Sequence, residues 1–76
     1  MNTKKLNEML QELNIPRDAY SLQGGFPNEA FCIGVVNGKW ETYYSERGNK
    51  TGLKSFENEN EACEYFLAWM IRTFKK

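Results

Sequence analysis

Leu6, Met9, Leu10 and Leu13 stand at the i, i+3, i+4, i+7 spacing of a helix with one buried stripe, and Lys5, Glu8 and Glu12 fall off that stripe. The spacing predicts a helix that Thr3 can cap and that ends near Leu13 or Asn14, because Pro16 disfavours helical geometry in the residue before it. Tyr20, Ser21 and Leu22 alternate briefly and predict a short strand, stopped by the turn-forming run Gln23-Gly24-Gly25-Phe26-Pro27-Asn28. Glu29 to Val36 and Lys39 to Glu46 are rich in β-branched and aromatic residues and flank Asn37-Gly38. That pair favours a type I′ hairpin turn, since both central positions need positive φ. The polar stretch Arg47–Gly52 reads as a loop, with a further strand over Leu53 to Phe56. Asn58 with Glu61 resembles a capping box and predicts the start of a second helix. On it Ala62, Cys63, Phe66, Trp69, Met70 and Thr73 share a face, the acidic residues Glu57 to Glu64 meet the positive end of the dipole, and Arg72, Lys75 and Lys76 lie at the other.

A two-residue turn at Asn37-Gly38 fixes the hairpin register: Val36 opposes Lys39, Val35 opposes Trp40, Ile33 opposes Thr42 and Phe31 opposes Tyr44. One face then carries Phe31, Ile33, Val35, Trp40, Thr42 and Tyr44, the expected core side. The other carries Cys32, Gly34, Val36, Lys39, Glu41, Tyr43 and Ser45 and is expected to stay open, with Tyr43 as its main outward ring. A slip of one residue would bury Lys39 and Glu41 unpaired, a cost of several kcal/mol for each. The element order predicts an α+β fold: an antiparallel sheet of three to four strands with N- and C-terminal helices packed on one face, in α-β-β-β-β-α order.

At 76 residues the chain is one domain, residues 1–76, near the size limit for independent folding, and its 14% aromatic content is first a means of filling a small core. Hydrophobic residues at 41% and charged residues at 26% exclude wholesale disorder. Ten Lys and Arg balance ten Asp and Glu, which removes the electrostatic signature of a nonspecific nucleic-acid or anionic-membrane binder. Cys32 and Cys63 stand far apart with no CxxC, so no disulfide is expected and the free thiols suit a reducing cytoplasm. The N-terminal segment leads into an amphipathic stretch without a long apolar region, and the run Tyr65 to Ile71 is too short to span a bilayer, so neither an export signal nor a membrane span is expected.

Candidate chemistry is sparse. The chain has no His, so a Ser or Cys nucleophile would need Lys, Asp or Glu as its base, and none lies in a recognisable elbow. Glu29 and Glu46, opposed at the open end of the hairpin, form either an acid–base pair or, with Arg47, a charge-balancing cluster. The acidic run at Glu57 lacks the ladder, central Gly and terminal Glu of an EF-hand loop, and Arg47–Gly52 lacks the spacing of a phosphate-binding loop. Lys39-Trp40, Tyr43-Tyr44 and Arg47 interleave cations with rings as a nucleic-acid sheet surface does, but the register turns Trp40 and Tyr44 inward and sets Glu41 beside Tyr43. No catalytic residue, metal ligand set or cofactor is predicted.

At Trp40-Glu41-Thr42-Tyr43-Tyr44-Ser45-Glu46-Arg47-Gly48, followed by Leu53, Phe56 and Glu61-Ala62-Cys63-Glu64-Tyr65-Phe66-Leu67, the chain resembles small bacterial immunity proteins of polymorphic toxin systems. The resemblance covers the C-terminal half and rests on a W-x-x-Y-Y-S-E-R-G strand and loop, then F-x-x-E-x-E-A-C-x-Y-F on a helix. It implies a cytoplasmic protein that binds a cognate toxin stoichiometrically and performs no chemistry itself. Inhibitors of nuclease toxins tend to be strongly acidic, and this balanced chain departs from that pattern, which leaves the toxin's identity open.

The expected partner surface is Glu41, Tyr43, Glu46, Arg47, Asn49 and Lys50, with Tyr43 and Arg47 as anchors. An alternative acidic patch is Glu57, Glu59, Glu61 and Glu64. Two further readings stay open: a nucleic-acid-binding accessory domain, and a small enzyme using Glu29 and Glu46. A second copy of the chain is a further candidate to cover an open edge or face.

Overall fold

The computed structural model describes residues 1–25 and 27–75. Phe26 of the expected turn and the terminal charge of Lys76 lie outside them. The first helix, α1 (Thr3–Glu12), buries Leu6 and Leu10 completely. Its cap is Asn2, one residue before the expected Thr3, whose side-chain oxygen accepts from the Lys5 amide at 2.8 Å. Asn14, at φ 59, ends the helix in the left-handed region that Asn tolerates better than most residues. A short 3-10 turn over Arg17–Ala19 then delivers the chain to β1 (Tyr20–Ser21).

Strands β2 (Ala30–Val36) and β3 (Lys39–Glu46) pair antiparallel in the register fixed by Asn37-Gly38, from Val36 opposite Lys39 to Phe31 opposite Tyr44. Asn37 and Gly38 sit at φ 52 and 79, as a type I′ turn requires. Two features differ from expectation. Strand β1 pairs parallel with β2, Tyr20 beside Phe31, so the sheet is mixed rather than wholly antiparallel. The last strand, β4 (Asn49–Phe56), starts four residues before Leu53, because Arg47-Gly48 makes a second tight turn at φ 51 and 79. The stretch expected as a loop is therefore mostly strand. Its extra residue is absorbed in a bulge opposite Thr42 to Tyr44, where Gly52 takes φ 66. Among the described residues the sheet order is β1-β2-β3-β4.

The second helix, α2 (Glu59–Phe74), begins at the expected cap: Asn58 accepts from the Glu61 amide at 2.8 Å and donates its own amide to the Glu61 carboxylate at 3.1 Å. Ala62, Cys63, Phe66 and Met70 join Leu6, Leu10, Ile15 and Ile33 in one core, so both helices cover the same side of the sheet. Phe31, Trp40, Phe56 and Trp69 pack around it, half-buried. Thr73, expected on the inner face, is exposed and donates its hydroxyl to the Trp69 carbonyl at 2.9 Å. Val35, expected in the core, is 56% exposed while Ile33 is fully covered, so the helices cover the middle of the hairpin and stop short of its turn. Both cysteines are buried and free. Among the described residues no helix is long and apolar enough to cross a membrane.

Candidate partner-binding surface

The sheet face away from the helices is exposed at Val36 and Lys39, near the hairpin turn, but covered further along β2 and β3. Cys32, Gly34, Tyr43 and Ser45 are all buried on it, and residues 23–25, following β1, lie against Gly34 and Tyr43. Gly24 donates its amide to the Ile33 carbonyl at 3.0 Å, and Ser21 donates its hydroxyl to the Gly24 carbonyl at 3.0 Å. Tyr43 is 2% exposed and donates its hydroxyl to the Gly25 carbonyl at 2.7 Å. The ring expected to anchor a partner instead pins this strap. The signal that could have shown it is Gly34, a glycine inside a strand, which commonly marks the close approach of another backbone.

Beside Tyr43, Lys50 crosses from β4 to bond Glu41 of β3 at 3.0 Å, and its ammonium lies 4.7 Å from the centre of the Tyr43 ring. The Lys50 and Glu41 side chains are only 26% and 15% exposed, so this pair braces the sheet rather than facing a partner. Burial pushes the Tyr43 hydroxyl up to about 12, with Cys32 beside it adding to the effect. Burial likewise raises the Cys32 thiol, outweighing the opposing effects of the neighbouring Tyr43 hydroxyl and Lys50 charge, and burial pushes the Cys63 thiol up to about 11. All three groups stay protonated at neutral pH and supply neither a thiolate nor a phenolate.

Of the expected surface residues, Glu46, Arg47 and Asn49 remain exposed, gathered at the turn between β3 and β4. Arg47 holds φ 51, a left-handed conformation that costs an L-residue about 1 kcal/mol. Two sheet registers fix this turn from either side, Glu46 facing Asn49 and Ser45 facing both Ala30 and Lys50. Glu29 is at φ 53, just outside β2, so it does not face Glu46 across the ladder as expected. Among the described residues the ion pairs are Glu41–Lys50 and Lys39–Glu57, and the expected cluster of Glu29, Glu46 and Arg47 is not formed. A recess of about 350 Å³ lies elsewhere, lined by Asn7, Arg17, Tyr20, Ser21, Leu22 and Gln23, and includes neither carboxylate.

The acidic alternative is divided among separate tasks. Glu57 pairs with Lys39 at 3.2 Å, Glu59 accepts from the Thr3 amide at 2.8 Å, and Glu61 completes the cap of α2. The Thr3–Glu59 bond, together with the bond from the Met1 ammonium to the Asn60 side chain, fastens the start of α1 to the start of α2. Glu64 is exposed. Among the described residues no group of three His, Cys, Asp or Glu is placed to hold a metal ion.

Sequence reasoning missed the free side of β4. Six of its eight residues are exposed, and next to it Tyr65 of α2 packs on Phe56 and carries the Lys54 ammonium 5.3 Å from its ring centre. No family model, curated protein or solved structure matches the chain.

Proposed function

We propose that this chain is a non-catalytic protein-binding module, an immunity protein that binds and neutralises a cognate bacterial toxin in the cytoplasm. The observation that supports it is the separation of braced and displayed groups. Tyr43, Glu41 and Lys50 are locked into the sheet, whereas Glu46, Arg47 and Asn49 project from a turn held rigid by the strands on both sides. Arg is enriched among the residues that carry interface energy, and a rigid mount lowers the entropy lost on binding. The first part of the segment that resembles immunity proteins, Trp40 to Gly48, covers β3 and this turn. Within this reading Arg47 is the anchor, and Tyr43 serves as scaffold.

The test is binding to the C-terminal domain of the protein encoded immediately upstream. A one-to-one complex that abolishes the toxicity of that domain is expected, with R47A weakening it. A toxic upstream domain that neither binds this chain nor is neutralised by it would overturn the proposal.

A further inference from the structure

We infer that the outer edge of β4 is a docking site for an extended, acidic segment of the partner protein, which adds to the sheet as a further strand. The inference rests on the reading of the chain as a toxin-binding protein and names the surface and the chemistry of contact.

Strand β4 is hydrogen-bonded to β3 on one side, and among the described residues no backbone hydrogen bond joins its other side to any element. The opposite edge strand of the sheet is β1, only two residues long, so β4 is the longer of the two edge strands among the described residues. An exposed edge of this kind is a template for another strand. Here α2 leaves it uncovered, and Leu53, 48% exposed, adds an apolar side chain in its middle. The bulge at Gly52 interrupts the ladder and confines regular pairing to a short stretch on either side.

Charge selects the occupant. Strand β4 contains Lys50 and Lys54 and no acidic residue. Glu41 neutralises Lys50, whereas Lys54 rests over the Tyr65 ring and has no carboxylate partner among the described residues. A second copy of this chain would bring a second Lys54 and no acid to the shared ribbon, which disfavours self-pairing because like charges across a strand pair repel. An acidic side chain on the helix-side face of an added strand meets Lys54 beside Tyr65, and an apolar one on the other face meets Leu53. The edge begins at Asn49, two residues after Arg47, so a partner held by the turn continues onto it.

The experiment is amide hydrogen exchange across β4 in the free protein and in its complex with the upstream toxin domain, with K54E and L53K as variants. Slowed exchange from Asn49 to Phe56 in the complex, with at least about tenfold weaker binding by both variants and unchanged thermal unfolding, is expected. A complex that forms without protecting β4, or that both variants join as tightly as the parent, overturns the edge site and leaves the toxin-binding reading standing. If the upstream domain does not bind at all, that reading fails, and the edge is tested with a synthetic peptide alternating glutamate and valine and matched to β4 in length. Protection of β4 by that peptide, and not by its lysine–valine counterpart, supports the site; no protection overturns it. Protection of β4 in a homodimer of the protein alone also overturns it.

Discussion

Gly24 and Gly34 meet backbone to backbone: a Cβ built on Gly34 would lie 2.8 Å from the Gly24 Cα, closer than real Cβ atoms approach. This contact lets the strap between β1 and β2 lie flat on β2 and β3 and bury Tyr43 beneath it. G34A is expected to destabilise the fold by about 2 kcal/mol, because the strap must lift and the Tyr43 bond to Gly25 lengthens. G38A is the control: its Cβ meets nothing within 4 Å, and only the strain of φ 79 remains, about 1 kcal/mol. Urea unfolding midpoints of the two variants check the difference.

Tyr43 gives the stability curve an alkaline limb. Its folded pKa, about 12, lies above the ordinary value of 10, so between these values the native state holds a proton that the unfolded chain has released. The sign follows: the contribution is complete below about pH 10 and disappears as pH rises through about 12. Y43F is expected to lose about 1 kcal/mol at neutral pH, from the missing bond to Gly25, and to fall less steeply than the parent above pH 10. Parallel alkaline limbs in the two proteins would contradict this assignment.

The pair of Glu41 and Lys50 should show a measurable but small coupling. A double-mutant cycle with E41Q and K50Q is expected to give about 0.5–1 kcal/mol, since both side chains are partly shielded. K50Q alone should cost more than E41Q, because it also removes the ammonium from the Tyr43 ring. Thermal unfolding at low and high salt distinguishes the two contributions: the ion-pair part shrinks with salt and the packing part does not.

Much of the fold was legible in the sequence. Asn58 with Glu61 announced α2 because the cap is a local pattern, and Asn37-Gly38 set the β2–β3 register because only a few residues tolerate those φ values. The errors came from non-local packing. The polarity of Arg47–Gly52 suggested a loop, but edge strands expose both faces and need no apolar alternation, and Gly52 serves a bulge. Tyr43 lies on the expected face but is buried, since nothing near it in sequence shows that residues 21–25 return to cover it. Val35 followed the alternation faithfully, and its exposure reflects where the helices end. The candidate surface was accordingly half legible: the turn residues Glu46, Arg47 and Asn49 are exposed, and the anchor expected at Tyr43 is structural.

On the proposed function, the sheet holds Arg47 in a strained turn for a partner's use and not for stability. Calorimetric titration of R47G with the upstream toxin domain, alongside its urea unfolding, tests this most directly. Glycine relieves the strain of φ 51, so stability is expected to stay level or rise by up to about 1 kcal/mol. Affinity is expected to fall about 30-fold, equivalent to about 2 kcal/mol. Undiminished affinity in a stably folded R47G protein would contradict the claim.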